Sequence, residues 1–139
     1  MIGLTSSTNE TVNSILVVDD DKDILRIVKI GLERAGFRVH GFSDPILALQ
    51  HIEDGCTECD VLISDVRMPH MNGFQLVKRI RQIRPEMKLV MMTAFEINKT
   101  EFESVFPSTQ IDSVLRKPFA PSKLVSVVEK VSKSDSSLH

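Results

Sequence analysis

Short apolar runs alternate with amphipathic segments along the middle of the chain. A continuous run of apolar, often β-branched residues is typical of a strand buried on both faces. Five such strands are predicted, at 15–18, 37–42, 60–65, 88–93 and 113–116. Between them, apolar residues three and four positions apart predict helices at 22–35, 45–55, 72–84 and 97–106, with a last helix from 121 onward. This strict alternation predicts an α/β fold with a doubly wound, five-stranded parallel sheet.

Residues suited to helix ends support these boundaries. Asp21 or Asp23 is expected to cap the first predicted helix, and Gly36 follows it where a left-handed residue is favoured. Asp44 and Pro45 together predict an N-cap followed by proline at the first helical position. The third helix is expected to turn four apolar side chains inward: Leu76, Val77, Ile80 and Ile83.

The length and charge of the chain indicate one ordinary globular domain. The chain has 139 residues and a formal net charge of −2, which gives no indication of a nucleic-acid or anionic-membrane partner. Residues 1–13 and 133–139 are mostly small and polar, and we expect a flexible leader and tail around a domain at 14–132. No apolar run approaches the roughly 18 residues of a membrane span, and no signal-peptide pattern is present. We therefore expect a cytoplasmic protein without membrane insertion.

The two cysteines form the pair Cys56-Thr-Glu-Cys59. A redox pair of this kind should begin a helix, whereas this one precedes a predicted strand. A zinc site needs two further ligands, and His51 and His70 have no recognisable spacing with the cysteines. We therefore expect Cys59 to be a small buried residue at the start of a strand and Cys56 to be a loop thiol.

Polar residues follow four of the five predicted strands. Asp19 and Asp20 follow the first, Asp65 ends the third, Thr93 ends the fourth and Lys117 follows the fifth. The carboxyl ends of parallel strands meet at one edge, where open α/β sheets bind ligands. Clustered carboxylates are unfavourable unless a cation lies among them, and hard oxygen ligands suit Mg²⁺. A carboxylate beside such an ion can attack phosphorus, with the lysine and threonine holding phosphoryl oxygens. The sequence therefore predicts a site that receives a phosphoryl group on an aspartate.

Four motifs carry a resemblance to a known family. The runs ILVVDDD (15–21), LISDVRMPHMNG (62–73), MMTA (91–94) and RKPF (116–119) together resemble the response-regulator receiver domain of two-component signalling. The resemblance covers about residues 14–131. It implies the flavodoxin-like strand order 2-1-3-4-5.

The resemblance also implies a role for each polar residue. Asp65 matches the phosphoacceptor, and Asp19 and Asp20 match the metal-binding acid pair. Direct ligands of Mg²⁺, or of Mn²⁺ in its place, would be Asp20, Asp65 and the backbone carbonyl of Arg67, with Asp19 acting largely through water. Thr93 would be the switch hydroxyl and Lys117 the phosphate-contacting lysine.

Further positions follow from the same resemblance. Ala94 is small and would leave the phosphoryl pocket accessible, while Arg67 and Phe95 would border the route of the hydrolytic water and tune the phosphoryl lifetime. The Lys117–Pro118 peptide bond is expected to be cis. Gly73 is expected to suit the tight turn that follows Met68 and Pro69.

Two features depart from the family pattern. Val114 stands where family members usually carry a switch aromatic, and valine is nearly fixed in one rotamer. This puts the usual aromatic readout in question, but not the phosphorylation chemistry. The segment 101–112 also lacks the small Gly/Ala-rich turn common before the fifth strand, which suggests different partners.

The favoured interpretation is a stand-alone receiver of a two-component phosphorelay, since no effector domain fits beside it in the chain. It would be phosphorylated by a sensor histidine kinase or histidine phosphotransfer protein and would signal through a further protein, as a monomer or weak homodimer. It would phosphorylate and dephosphorylate itself without being a turnover enzyme.

Three alternatives compete with this interpretation. One is a receiver-like interaction module without phosphotransfer. Another is an aspartate-nucleophile phosphatase built on Asp19-x-Asp21, which leaves Asp65 and Lys117 unexplained. A calcium loop fails because Ile24 and Ile30 occupy its last two required positions.

Overall fold

A computed structural model describes residues 14–56, 58–94 and 111–134, with side chains up to 132. The predicted helix at 97–106 and Phe95 lie outside these residues. The strands are β1 (Ser14–Val18), β2 (Arg38–Phe42), β3 (Cys59–Asp65), β4 (Lys88–Thr93) and β5 (Ser113–Arg116). The helices are α1 (Lys22–Arg34), α2 (Pro45–Glu53), α3 (Gly73–Ile83) and α4 (Pro121–Ser134). Among these residues, no helix has the length and apolar character needed to cross a bilayer.

The five strands form one parallel sheet in the order β2-β1-β3-β4-β5, which confirms the predicted fold and strand order. The register brings the carboxyl ends of neighbouring strands side by side. Val18 pairs with Phe42 and with Ser64, Asp65 pairs with Met92, and Thr93 pairs with Arg116. The loops that follow β1, β3, β4 and β5 therefore begin at the same edge.

Two hydrophobic clusters lie on opposite faces of the sheet. Leu16 and Val18 belong to the cluster beneath α2 and α3, whereas Ile15 and Val17 belong to the one beneath α1 and α4. Every residue of β1 is buried, as the continuous apolar run predicted. Complete burial of an aliphatic side chain contributes about 1.5–3 kcal/mol, so this strand anchors the domain through both faces.

Side-chain caps mark where three helices begin, and a glycine with positive φ follows the end of α1. Asp21 caps α1 by accepting hydrogen bonds from the backbone N–H groups of residues 23 and 24, and Asp44 caps α2. Asn72 and Gln75 form a reciprocal capping box at the start of α3. Gly36 follows α1 with φ of 100°, the left-handed conformation that glycine adopts without strain.

One inward residue was predicted wrongly. Ile83 is 40% exposed, whereas the other three apolar residues of α3 are buried. Ile83 is the last residue of α3, and the fully buried Met87 fills that end of the core instead. The cysteines lie as predicted, since Cys59 is fully buried at the first position of β3 and Cys56 is partly buried in the preceding loop.

Candidate functional site

Asp19 is a fully buried carboxylate at the end of β1. Its backbone N–H donates to the carbonyl of Phe42 on the neighbouring strand at 3.1 Å. Its Oδ1 accepts from the backbone N–H of Asp21 at 2.9 Å, and its Oδ2 accepts from Lys117 Nζ at 2.8 Å. Asp20, the next residue, is exposed. Adjacent acids therefore have different surroundings, because Asp19 is fixed inside the protein and Asp20 faces solvent.

Asp65 ends β3 and faces both acids. Its Oδ1 accepts a hydrogen bond from the backbone N–H of Val66 at 2.9 Å and lies 3.5 Å from Lys117 Nζ. Asp19, Asp20 and Asp65 each place one carboxylate oxygen in a group whose members lie within 4.8 Å of one another. Three hard oxygen donors at one accessible edge fit the chemistry of Mg²⁺. The structure thus brings together the three acids that the sequence predicted.

Lys117 reaches the acids because the end of β5 is tied to β4. Its backbone N–H donates to the carbonyl of Thr93 at 2.8 Å, and the peptide bond to Pro118 is cis, as predicted. The side chain of Lys117 is only 14% exposed. Its ammonium group therefore lies among the carboxylates, in contact with Asp19 and Asp65, rather than in solvent.

Burial and charge shift the pKa values of two groups at this site. Burial raises the pKa of Asp65 above its ordinary value, and the nearby Asp19 carboxylate raises it further, while Lys117 opposes both. Burial alone would lower the pKa of Lys117. The hydrogen bond and charge of Asp19, with Asp65, outweigh that effect and raise the pKa. The lysine is thus held as a cation, whereas ionised Asp65 is disfavoured in the absence of a metal.

The remaining predicted residues have mixed outcomes. Thr93 is buried at the end of β4, and Ala94 directly after it is exposed. The side chain of Arg67 is exposed two positions after the phosphoacceptor candidate. Phe95 lies outside the described residues. The roles of these four residues toward a phosphoryl group remain predictions.

Gly73 has a different role from the one predicted. Its φ is not positive, and it begins α3 against the end of β3 rather than serving a strained turn. Its N–H donates to the carbonyl of Val66 at 2.7 Å. A Cβ atom here would overlap the carbonyl oxygen of Asp65 and lie 2.6 Å from Met91 Cε. Glycine is needed because the helix approaches the backbone of Asp65 closely, and local sequence carries no signal of that packing.

Val114 lies on β5 opposite Met91 and is 44% exposed. The position to which the resemblance assigns a switch aromatic is therefore on the surface of this protein. A substitution here would change a surface more than the core.

Comparisons with known proteins agree with this geometry. The family model for the response regulator receiver domain matches residues 15–129. The response regulator receiver protein CpdR of Brucella abortus (strain 2308) is 32% identical over 117 residues, covering 84% of this chain and 94% of CpdR. The transcriptional regulator NtrC of Azospirillum brasilense is 34% identical over 122 residues, covering 88% of this chain but only 24% of NtrC. This chain therefore spans about a quarter of NtrC.

Solved structures agree as well. The chemotaxis response regulator CheY4 of Vibrio cholerae has a TM-score of 0.74 at 31% identity, covering 86% of this chain and 98% of CheY4. A response regulator receiver domain protein from Clostridium thermocellum has a TM-score of 0.80 at 26% identity, covering 92% of this chain and all of that one.

Proposed function

Because this chain belongs to the response regulator receiver domain family, we propose that it accepts a phosphoryl group on Asp65 and signals by binding a partner protein. The donor is the phosphohistidine of a sensor histidine kinase or of a histidine phosphotransfer protein. The observation that carries the proposal is the grouping of three carboxylates, two of which contact the Lys117 ammonium. Receiver domains are signalling domains, and we assign this one no turnover activity beyond its own phosphorylation and dephosphorylation, in the cytoplasm.

Asp65 acts as the nucleophile in this proposal. One carboxylate oxygen forms a bond to phosphorus while the bond from phosphorus to the donor imidazole breaks, and the imidazole leaves with the electron pair. Lys117, 3.5 Å from Asp65 Oδ1, offsets negative charge on the phosphoryl oxygens. Asp19 positions that lysine through the 2.8 Å contact. Catalysis by these residues is therefore mainly positioning and electrostatic stabilisation.

When bound, Mg²⁺ supplies positive charge to the same phosphoryl oxygens, and Mn²⁺ would do the same. The residues that would hold the ion are Asp20, Asp65 and the backbone carbonyl of Arg67. Both oxygens of Asp19 already accept hydrogen bonds from the protein, which supports an indirect role for it through water. The exposure of Asp20 leaves its carboxylate accessible to an ion arriving from solvent.

Loss of the phosphoryl group completes the cycle. Water attacks phosphorus, inorganic phosphate leaves and Asp65 returns to a carboxylate. In this proposal Thr93 binds a phosphoryl oxygen while the group is present, and Ala94 keeps the pocket open. In the same proposal, Arg67 and Phe95 tune the lifetime of the phosphoryl group.

Phosphorylation by a small donor tests the proposal. Acetyl phosphate with Mg²⁺ should add one phosphoryl group, stable to acid and labile to base, as measured by intact mass. Asp65→Asn should remain unlabelled. Asp60→Asn, in the same strand at its other end, is the matched control and should be labelled like wild type. Equal labelling of wild type and Asp65→Asn would contradict the proposal.

A second pair of variants tests the metal ligands. Asp20→Asn should raise the Mg²⁺ concentration needed for labelling. Asp21→Asn should not, because Asp21 caps α1 and asparagine caps a helix as well as aspartate does. The use of Asp21 as a cap also argues against a phosphatase built on Asp19 and Asp21. A receiver-like module without phosphotransfer would give no labelling of wild type under any of these conditions.

A further inference from the structure

Three metal-ligating side chains come together away from the phosphoacceptor. His40 lies on β2, His51 in the last turn of α2 and Cys59 at the first position of β3. One nitrogen of each imidazole and the Sγ of Cys59 all lie within 4.8 Å of one another. No sequence spacing connects these residues, since each comes from a different element. The packing of α2 over the sheet brings them together.

The two imidazoles have buried nitrogens without a hydrogen-bond partner. His40 Nε2 and His51 Nε2 are both inaccessible to solvent, and neither has a partner among the residues that the structure describes. Glu58 Oε1 is 3.8 Å from His40 Nε2, beyond hydrogen-bonding distance. Buried polar atoms are nearly always paired, because an unpaired one loses its hydration without compensation. These two nitrogens are therefore available to bind a ligand.

A second thiol adjoins the cluster. Cys56 Sγ lies 3.6 Å from Cys59 Sγ, too far for a disulfide bond and close to the roughly 3.7 Å that separates two thiolates on a tetrahedral Zn²⁺ with Zn–S bonds of about 2.3 Å. Cys56 lies in the loop before β3, next to the three-residue cluster rather than within it. Binding of all four residues to one ion therefore requires the Cys56 side chain to turn toward the imidazoles, which would give two nitrogen and two sulfur donors.

We propose that His40, His51, Cys56 and Cys59 bind one Zn²⁺ ion in a tetrahedral site. Imidazole and thiolate ligands select zinc over the hard cations that carboxylates prefer. Each zinc–sulfur bond forms as a thiol loses its proton to solvent, and the imidazoles bind in their neutral form. The acidic site differs from this one in ligand chemistry and in place. Cys59 begins β3 and Asp65 ends it, which separates the two by about 20 Å along the strand.

Zinc would cross-link three elements at this site. His40 belongs to β2 and His51 to α2. The two cysteines lie at the start of β3 and in the loop before it. An ion that binds only the folded arrangement stabilises it by mass action. We therefore expect zinc to raise the unfolding temperature and to protect both thiols from alkylation.

Titration of the reduced, metal-free full chain with Co²⁺ tests the proposal. Tetrahedral cobalt bound to thiolates gives a charge-transfer band in the near ultraviolet and intense visible bands. One Co²⁺ per chain should bind with these bands, remain bound in excess Mg²⁺ and be displaced by one equivalent of Zn²⁺. The Asp20→Asn variant should give the same spectrum. Absence of the thiolate band in the folded wild type would overturn the proposal.

Ligand variants identify the residues responsible. A change beside a metal ligand typically weakens metal binding roughly tenfold. We expect a larger loss of cobalt affinity in each of four ligand variants: Cys56→Ser, Cys59→Ser, His40→Gln and His51→Gln. A substitution at the buried Cys59 could impair folding. The variants at the partly exposed His40 and Cys56 therefore test metal binding independently. His70→Asn is the matched control, since His70 is exposed in another loop. Cobalt affinity unchanged in His40→Gln and Cys56→Ser would exclude this site.

Discussion

Lys117 Nζ lies 2.8 Å from Asp19 Oδ2, although the two residues are 98 positions apart in the chain. Asp19 follows β1 and Lys117 follows β5, and two strands of the sheet separate β1 from β5. The pair is largely protected from water, with side-chain exposures of 0% and 14%. At the acidic edge, the Lys117 cation therefore links the ends of β1, β3 and β5 through its contacts with Asp19 and Asp65.

Removing that cation should destabilise the fold. We expect Lys117→Met to lower the free energy of unfolding by about 3–5 kcal/mol, because Asp19 would be left as a buried charge without its partner. Urea denaturation in Mg²⁺-free buffer measures the change. Lys123→Met, at an exposed lysine in the first turn of α4, is the control and should change stability by less than about 0.5 kcal/mol. In the Lys117→Met and Asp19→Asn double variant, part of the loss should be recovered.

Removing the charge of Asp65 should stabilise the metal-free protein. Burial and the Asp19 carboxylate raise the pKa of Asp65 in the folded state. The protonated carboxyl therefore favours the folded state. This stabilisation is complete below the pKa of the unfolded state and is lost as pH rises through the pKa of the folded state. The amide introduced by Asp65→Asn does not titrate. The variant should match wild type at acidic pH and become the more stable of the two as pH rises toward neutrality.

Denaturation at several pH values checks this expectation. Mg²⁺ at neutral pH should stabilise wild type more than Asp65→Asn, because the ion offsets the repulsion between Asp65 and Asp19. Asp60→Asn serves as the control at the other end of β3. A constant stability difference between wild type and Asp65→Asn across the pH range would contradict the assigned cause.

A methyl group at Gly73 should impair both stability and phosphorylation. The added Cβ of Gly73→Ala would overlap the carbonyl of Asp65, so either α3 or the end of β3 must move. We expect a loss of about 1–3 kcal/mol and slower labelling by acetyl phosphate. Gly41→Ala is the matched control, since the nearest atom to its Cβ would be in the flexible side chain of Leu25, at 3.2 Å. Normal labelling of a folded Gly73→Ala protein would show that this approach is not needed for the chemistry.

An aromatic at position 114 should leave the phosphorylation rate unchanged and alter partner binding. Val114 is 44% exposed, so Val114→Tyr has room at the surface, and we expect a stability change within about 0.5 kcal/mol. Val90→Tyr, at a fully buried position on β4, should instead disrupt the core. Labelling by acetyl phosphate and binding to the cognate kinase measure the two effects. A collapse of labelling in Val114→Tyr would show that this position acts on the chemistry.

The sequence predicted the strands and the acidic edge because both depend on short-range patterns. The apolar run of β1 needs two covered faces, and polar residues at strand ends must share an edge once the strands are parallel. It could not predict why Gly73 is glycine, since that depends on how closely α3 approaches Asp65. The approach of His40 and His51 to Cys59 likewise depends on strand register and helix packing. The cis bond at Lys117–Pro118 came from family resemblance and not from the residues alone.

Strand β3 connects these features, because it lies at the centre of the sheet with β1 on one side and β4 on the other. From Val61 to Ser64 all of its residues are buried. A shift by one residue would break both hydrogen-bonded ladders and turn its apolar side chains to the wrong faces. Strand β3, which ends at Asp65, is therefore held in register by both of its neighbours. We therefore expect any rearrangement on phosphorylation to be larger in the loops that follow β1 and β3 at the acidic edge than in β3 itself.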